Sequence, residues 1–218
     1  KIDQMGIMTN QEAHQQQATR IQQYYAFQSR IYDLTRWSFL FGRSAIFNEL
    51  PLEHEEPFHL LEVGCGTGHN LVRARHLFSE AKLTGMDVSG DMVDRAKRRF
   101  SSSEEIVFLE QAYGNNCYTW TGKLDVALFS YALTMINPQW ETLIHQAYKD
   151  LRPGGYIAVV DFHDSRWPFF KKHMAGHHVR MDSHILPVLK DNFYPVREEV
   201  KPAYLGLWEY LLFVGRKV

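Results

Sequence analysis

The sequence predicts an α/β protein with a mostly parallel sheet and helices on both of its faces. From residue 58 onward, short apolar runs alternate with amphipathic runs of helical period, and this alternation is typical of parallel sheets. The first apolar run ends in a glycine-rich turn, "LLEVGCGTGHN". Residues 194–218 contain two extended segments around Gly206, which predict a terminal antiparallel pair.

The order of the runs gives the order of the elements. The predicted strands are "FHLLEVG", "AKLTGMDVS", "EIVFLEQA", "LDVALFSYAL" and "YIAVVDFH". The predicted helices between them are "HNLVRARHLF", "GDMVDRAKRRF" and "PQWETLIHQAYKDL", the last of which ends at "RPGG". Upstream, residues 10–30 show helical spacing and a second helix is predicted from Trp37 to Leu50. We therefore divide the chain into an N-terminal helical lid, residues 1–50, and a main domain, residues 51–218.

Composition excludes several classes of function. The 218 residues carry a formal net charge of −1, so no global field favours nucleic acid, and we expect none as a partner. Two cysteines give neither a disulfide framework nor a zinc spacing, and the eleven histidines match no usual ligand spacing, so we predict no metal site. The polar N-terminal sequence lacks the apolar core of a signal peptide. We expect a cytoplasmic protein, with the inner membrane face as a peripheral location.

The glycine loop indicates a cofactor that is not bound mainly through phosphate. Gly64, Gly66 and Gly68 alternate after a predicted strand, and such glycines let a ligand lie against bare backbone. Glu62 precedes the loop, where a carboxylate would repel a phosphate but attract a cation. Asp87 ends the next strand, where an acidic side chain can accept both hydroxyls of a ribose. A helix-capping role for Asp87 remains the structural alternative.

Three segments resemble class I S-adenosylmethionine-dependent methyltransferases: "LLEVGCGTGHN", "GMDVSGDM" and "LRPGGYIAVVDF". The resemblance implies a Rossmann-like, seven-stranded sheet with a reversed last strand, and S-adenosylmethionine as the cofactor. It places adenine near Met92, for which core packing is the alternative. It also places adenine near Gln111, where many family members have Asp; an amide oxygen can still accept a hydrogen bond there. The predicted cofactor-binding residues are Tyr25, Tyr32, Arg43, Glu62, Gly64, Cys65, Gly66, Gly68, Asn70, Asp87, Val88, Met92, Gln111, Ala112 and Ser130.

The segment "IYDLTRWSFLFGR" (residues 31–43) bears on the methyl acceptor. It resembles the N-terminal signature of the N-methyltransferase of betaine-lipid synthesis, which methylates the amine of diacylglyceryl-homoserine three times. A quaternary ammonium cannot donate hydrogen bonds and is held best by aromatic faces, whereas a guanidinium fork matches a carboxylate. We expect Tyr24, Arg36 and Trp37 to contact the substrate and Arg43 to pair with the cofactor's carboxylate. Packing of a helical lid is the alternative for the rings, and an ion pair with Asp33 is the alternative for the arginines.

Three residues are candidates for the chemistry of transfer: Tyr131, Asp161 and His163. Tyr131 follows the strand "LDVALF", whose end the resemblance places at the methyl-transfer point. Asp161 and His163 are the other candidates by sequence position. A strong general base is not required, because the last of three methylations attacks with a tertiary amine that has no proton to lose.

The segment "RWPFFKKHMAGHHVRM" (residues 166–181) mixes rings with cations, which suits a lipid headgroup boundary; an ordinary amphipathic helix is the alternative. Two other functions stay open. One is methyl transfer to a soluble amine, hydroxyl or ring, and the other is a non-catalytic subunit that only binds the cofactor.

Overall fold

The computed structural model describes residues 40–100, 106–114 and 120–218. The predicted N-terminal helix over residues 10–30 lies outside the described residues, as do most of the lid and of the acceptor signature. So do the predicted site residues Tyr24, Tyr25, Tyr32, Arg36 and Trp37. The division into a lid and a main domain therefore stays a prediction.

The described residues form a seven-stranded mixed sheet with the order β3-β2-β1-β4-β5-β7-β6. The strands are β1 (His59–Val63), β2 (Lys82–Asp87), β3 (Ile106–Glu110), β4 (Leu124–Ser130), β5 (Leu151–Asp164), β6 (Tyr194–Ala203) and β7 (Trp208–Arg216). β1 to β5 pair in parallel, and β7 pairs antiparallel with both β5 and β6. This confirms the predicted fold class and the reversed last strand. β1 and β4 are neighbours although β2 and β3 come between them in the chain, and ligands of such sheets bind at the carboxyl ends of strands where the order switches.

Six α-helices pack beside the described strands. They are α1 (Ala45–Asn48), α2 (His69–Leu77), α3 (Gly90–Arg99), α4 (Trp140–Asp150), α5 (Pro168–Gly176) and α6 (Ile185–Asn192). The start and end of α3 follow from its sequence: the Ser89 hydroxyl accepts a hydrogen bond from Met92 N, and three basic residues fill the last turn. Both features stabilise helix ends, by satisfying a free N–H and by opposing the helix dipole.

The core has two layers because the side chains of each strand alternate between the two faces of the sheet. In β1, Leu60 belongs to a cluster with α2 and with Ile46 and Phe47 of α1, whereas Leu61 belongs to a cluster on the other face with α4 and α6. Residues 45–50 thus pack into the same core as the main domain, and the predicted arrangement of helices on both faces is confirmed.

Some element boundaries differ from the sequence prediction. β5 begins at Leu151 and takes in the "RPGG" segment that was expected only to end a helix. The pairing with β4 jumps from Leu124–Leu151 to Val126–Tyr156, so the segment bulges between two paired positions. β4 ends at Ser130, before the predicted end at residue 133, because Tyr131 turns the chain with φ of 53°. α5 and α6 were not predicted as separate helices.

Replacing Gly85 in β2 is expected to destabilise the core. A Cβ at Gly85 would lie 2.6 Å from Leu71 Cδ1 and 2.9 Å from Cys65 Sγ. We expect Gly85→Ala to lower the free energy of unfolding by roughly 1–3 kcal/mol, because the packed core must move to admit a methyl group. Gly176→Ala is the matched control, since a Cβ at that helix end meets no atom within 4 Å. Chemical denaturation measures both, and equal stability of the two variants would contradict the packing argument.

Candidate cofactor and transfer site

A cavity of about 540 Å³ lies at the carboxyl ends of β1 and β4, at the switch point of the sheet. Its volume is in the range of sites that take a cofactor-sized ligand. It is built from the segment before α1, the glycine loop, the end of β4 and a side chain from β7. Its lining residues are Leu40, Gly42, Arg43, Ser44, Ala45, Glu62, Gly64, Cys65, Gly66, Thr67, His69, Asn70, Arg99, Ser130 and Tyr210.

The glycine loop has a backbone that favours glycine. Gly64, Gly66 and Gly68 have φ of 71°, 54° and 74°, in the left-handed region that other residues rarely adopt. A Cβ at Gly64 would also lie 3.1 Å from the Ala132 Cβ. The N–H groups of Gly64 and Cys65 both donate to the carbonyl of Met86, at 2.8 and 3.0 Å. The loop is therefore fixed to β2 and keeps bare backbone towards the cavity.

Asp87, at the end of β2, joins the loop to the start of α3. Its Oδ2 accepts from Gly66 N at 2.8 Å and its Oδ1 accepts from Ser89 N at 2.9 Å. An ionised carboxylate offers about four acceptor positions. Asp87 can therefore hold the loop in place and still accept from the hydroxyls of a ligand.

A hydrogen-bonded chain of Arg43, Asn70 and Glu62 crosses the cavity wall. Arg43 Nε donates to Asn70 Oδ1 at 3.1 Å, and Asn70 Nδ2 donates to Glu62 Oε1 at 2.6 Å. Glu62 is 1% exposed, a rare position for a carboxylate. The amide of Asn70 uses its donor and its acceptor at once, which fixes its orientation. The cavity therefore presents a cation and an anion on one wall, an arrangement that suits a zwitterionic ligand.

The end of β4 supplies two hydroxyl groups with different surroundings. Ser130 Oγ is buried and has no hydrogen-bond partner among the described residues, although Ser130 lines the cavity. Tyr131 is 1% exposed, and its hydroxyl donates to the carbonyl of Phe41 at 2.8 Å. Burial raises the pKa of Tyr131 well above its usual value. Ser130 is thus placed for a ligand, whereas Tyr131 fixes the segment before α1 to the sheet.

Cys65 lies in the loop but is a poor nucleophile. It is 5% exposed, and burial, with the charges of Glu62 and Asp87, raises the pKa of its thiol well above the usual value. Because the thiolate is the reactive form, the structure favours a packing role beside the cofactor position.

The predicted adenine contacts lie on the β2 and β3 side of the loop. Met92 is buried and Val88 is exposed, while the N–H of Gln111 donates to the carbonyl of Asp87 at 2.9 Å. The side-chain amide of Gln111 points to Met86 Sδ at 3.9 Å. The residues Val88, Met92, Gln111 and Ala112 are not among the lining residues of the cavity, so their contact with adenine stays a prediction.

Asp161 and His163 lie near the carboxyl end of β5 and are not among the lining residues of the cavity. Asp161 is fully buried and accepts from Thr134 Oγ1 at 2.5 Å and from Leu133 N at 2.8 Å. Burial raises its pKa to about 6, against the lowering effect of these donors. Through these hydrogen bonds the Asp161 carboxylate fixes the turn after β4.

Burial lowers the pKa of half-buried His163, so its imidazole is neutral near pH 7 and can accept a proton.

Eight of the cavity residues were not predicted as site residues from the sequence: Leu40, Gly42, Ser44, Ala45, Thr67, His69, Arg99 and Tyr210. Thr67 and His69 belong to the glycine motif "LLEVGCGTGHN", and that motif could have indicated them. Tyr210 comes from β7, and a Cβ at Gly42 would lie 2.7 Å from its ring. No local pattern links positions so far apart, so only the fold reveals Tyr210.

Within the described ranges no cluster of three or more His, Cys, Asp or Glu side chains could hold a metal ion. Likewise, the described helices include none that is both long enough and apolar enough to cross a bilayer.

Residues 60–155 match the protein family described as "Methyltransferase domain". A carboxy-S-adenosyl-L-methionine synthase of Trichodesmium erythraeum is 31% identical over 123 residues, which are 55% of this chain and 48% of that protein. The chain thus spans about half the length of this curated relative.

Two solved structures share the fold. The 1,6-didemethyltoxoflavin-N1-methyltransferase of Burkholderia thailandensis, with S-adenosylhomocysteine bound, gives a TM-score of 0.69 at 17% identity and covers 100% of this chain and 93% of that one. The geranyl diphosphate C-methyltransferase of Streptomyces coelicolor gives 0.67 at 15% identity and covers 81% and 75%. Residues 60–155 are thus similar to a methyltransferase domain, and the sheet in which they lie has the fold of these two methyltransferases.

Proposed function

We propose that this protein is an S-adenosylmethionine-dependent methyltransferase that N-methylates the amine of diacylglyceryl-homoserine to a trimethylammonium betaine lipid. The observation that carries the cofactor half is the buried Glu62 carboxylate, bridged through Asn70 to Arg43 beside the glycine loop. The acceptor half rests on the resemblance of residues 31–43 and on the position of the end of that segment at the cavity.

The cavity and the adjoining Asp87 fit S-adenosylmethionine. Asp87 is not among the lining residues but is bonded to Gly66, which is one of them, and it lies at the strand end where a ribose can be bound. The bare backbone of the loop leaves room for the methionine portion. The buried hydroxyl of Ser130 is available for a ligand bond that the described protein does not supply. When bound, the cofactor supplies an electrophilic methyl on a positive sulfonium whose leaving group is a neutral thioether.

Arg43 and Glu62 would then divide the charges of the ligand's amino-acid end. A guanidinium matches a carboxylate through two parallel hydrogen bonds, and a carboxylate favours a nearby ammonium or sulfonium. Asn70 keeps the two charged side chains at fixed positions. In this arrangement Arg43 serves the cofactor, and Arg36 remains for the homoserine carboxylate of the acceptor.

An amine that becomes a trimethylammonium needs aromatic surroundings, and the described residues supply some. Tyr210 lines the cavity. Behind it, Phe41 packs with its ring centroid 6.1 Å from that of Tyr210 and 5.8 Å from that of Trp208. These rings support binding of a cation, and they add to the predicted rings of Tyr24 and Trp37.

The proposed reaction requires little proton transfer by the side chains of the protein. The attacking amine must be neutral, and its lone pair forms the new N–C bond as the C–S bond breaks. The proton of each of the first two products can leave through water or through the neutral imidazole of His163. The raised pKa of Tyr131 and its bond to Phe41 make that hydroxyl a poor proton acceptor.

The lipid acceptor implies that the protein works at a membrane surface, and we propose that segment 166–181 contacts it. Trp167 and Phe169 of this segment are exposed, while Phe170 packs into the core. The alternative interpretation of this segment, an ordinary amphipathic helix, also fits, because one ring packs into the core and two rings are exposed.

Asp87→Ala is expected to abolish cofactor binding, because it removes the acceptor for the ribose hydroxyls and the tie to Gly66 N. Calorimetric titration with S-adenosylhomocysteine measures the loss. Asp91→Ala is the matched control, since Asp91 lies exposed in the first turn of α3, and thermal unfolding checks that both variants fold. Wild-type affinity in Asp87→Ala would refute this role.

His163→Asn is expected to lower the turnover number by less than about tenfold. A required general base contributes roughly a hundredfold or more, and the proposed reaction does not need one. The exposed His145 of α4 provides the control substitution, His145→Asn. A hundredfold loss, together with a lost limb of the pH–rate profile, would show that His163 is an essential base.

The acceptor is tested with methyl-labelled S-adenosylmethionine and two separate pools: diacylglyceryl-homoserine in detergent micelles, and a panel of soluble amines, hydroxyl compounds and rings. We expect label in the lipid, in products with one, two and three added methyls by mass spectrometry. Label only in the soluble pool would establish the first alternative function. Cofactor binding without label in either pool would favour the non-catalytic subunit, and recovery of a carboxylated cofactor would indicate the chemistry of the Trichodesmium relative.

A further inference from the structure

The turn between β6 and β7 exposes an apolar side chain in an unfavourable backbone conformation. Tyr204, Leu205 and Gly206 have φ of 47°, 56° and 85°, all in the left-handed region that disfavours residues with a side chain. Leu205 is fully exposed, at 103% of its reference area, and Tyr204 is 47% exposed. Because water does not favour such an arrangement, we expect Leu205 to have an apolar partner beyond the described residues.

Other exposed rings surround this turn. The ring of Phe41, 38% exposed, lies 5.3 Å from that of Tyr204 in an edge-on arrangement. On the other side, Ser165 Oγ donates to the carbonyl of Leu207 at 2.7 Å, and a Cβ at Gly206 would lie 3.6 Å from Arg166 Nη2. The turn is thus continuous with Phe41 and with the segment that leads into α5.

The start of α5 continues the apolar surface. Arg166 lies 5.4 Å from the ring centroid of Trp167, and the rings of Trp167 and Phe169 are 6.0 Å apart. Trp167 is 43% exposed and Phe169 is 65% exposed. We call the five side chains Phe41, Trp167, Phe169, Tyr204 and Leu205 the docking face.

Residues 166–181, which include Trp167 and Phe169 of this face, carry charges of one sign. Residues 166–181 contain four Lys and Arg and no Asp or Glu, although the whole chain has a net charge of −1. Lys172 is exposed, whereas Lys171 forms an ion pair with Asp164. Aromatic rings next to cations are typical of a surface that meets the headgroups of anionic lipids.

The docking face lies at the same edge of the sheet as the cavity. β7 runs antiparallel to β5, and its first residues pair with the carboxyl end of β5, so the turn before β7 lies beside the carboxyl ends of the parallel strands. Phe41 belongs to the docking face, while the next residues, Gly42 and Arg43, line the cavity.

We propose that the docking face binds an anionic lipid bilayer, with the side chain of Leu205 entering the acyl boundary and Arg166 and Lys172 meeting the headgroups. This inference deepens the proposed function, because a protein bound by its docking face would present the cavity to a substrate held in the bilayer. The binding to the bilayer itself does not depend on methyl transfer. A second copy of the chain is the less suitable occupant, since two such cationic segments would repel each other.

The test is co-sedimentation of the purified chain with vesicles of phosphatidylcholine alone and of phosphatidylcholine with phosphatidylglycerol. We expect binding to the anionic vesicles that weakens as salt rises. Leu205→Ser and Phe169→Ser should each weaken it about tenfold, the effect of removing one large apolar contact. Val196→Ser is the matched control. Val196 is 43% exposed on β6, and the seven residues of strand from it to Ala203, at the end of β6, span roughly 23 Å.

Three outcomes would overturn the proposal: no binding of the wild-type chain to anionic vesicles, equal loss of binding in Val196→Ser, or self-association in analytical ultracentrifugation that Leu205→Ser abolishes. The methylation assay in detergent micelles separates this inference from the proposed function. Leu205→Ser should keep its activity there, because micelles deliver the substrate without a bilayer. A chain that binds vesicles but methylates no lipid would support the docking face and contradict the acceptor.

Discussion

The buried carboxylate of Glu62 is the constraint on which the site depends. A charge that is 1% exposed needs compensation, and the chain provides it through Asn70 and, one step further, Arg43. Because Asn70 belongs to α2 and Arg43 precedes α1, the compensation joins three parts of the chain around one side chain. The same negative charge disfavours a phosphate at the glycine loop, and it therefore selects the class of cofactor as well as the local structure.

The segment before α1 connects one side of the cavity to the sheet. Tyr131 holds the carbonyl of Phe41, and Gly42 takes φ of 79° where a side chain would collide with Tyr210. The two contacts leave Arg43 facing Asn70. At the C-terminal end of this segment, the glycine and the arginine thus each have a structural reason: Tyr210 leaves no room for a side chain at Gly42, and Asn70 accepts a hydrogen bond from Arg43.

The sequence predicted those features that depend on neighbouring residues. The strand–loop–helix at Gly64–Gly68 and the position of Asp87 follow from local pattern, and so does the terminal antiparallel pair. It did not predict Tyr210 in the cavity, because Tyr210 reaches the cavity through the pairing of β7 with β5, and no local pattern shows which strands are neighbours. The hydrogen bonds of Asp161 were not predicted from the sequence either. An acidic residue at a strand end suggests chemistry, but its partners in the turn after β4 become visible only when that turn folds back over β5. The sequence also did not predict that "RPGG" belongs to β5. This assignment depends on a bulge in the pairing of β4 with β5, and a pattern of apolar residues does not encode a bulge.

The positions of the cavity and of the docking face follow from one topological fact. Parallel strands end together, so the loops after β1, β2 and β4 converge on one edge, and the reversed β7 brings its own first residues to that edge from the opposite direction. A turn at this place can extend beyond the parallel strands without disturbing the cofactor loop, because its strands belong to the far side of the sheet. The left-handed backbone at Leu205 is tolerated there since the antiparallel pair on both sides of it fixes the ends of the turn. The fold thereby separates the two proposed tasks, with cofactor binding at the glycine motif and surface recognition at the turn between β6 and β7, and Phe41 to Arg43 is the short stretch of chain that touches both.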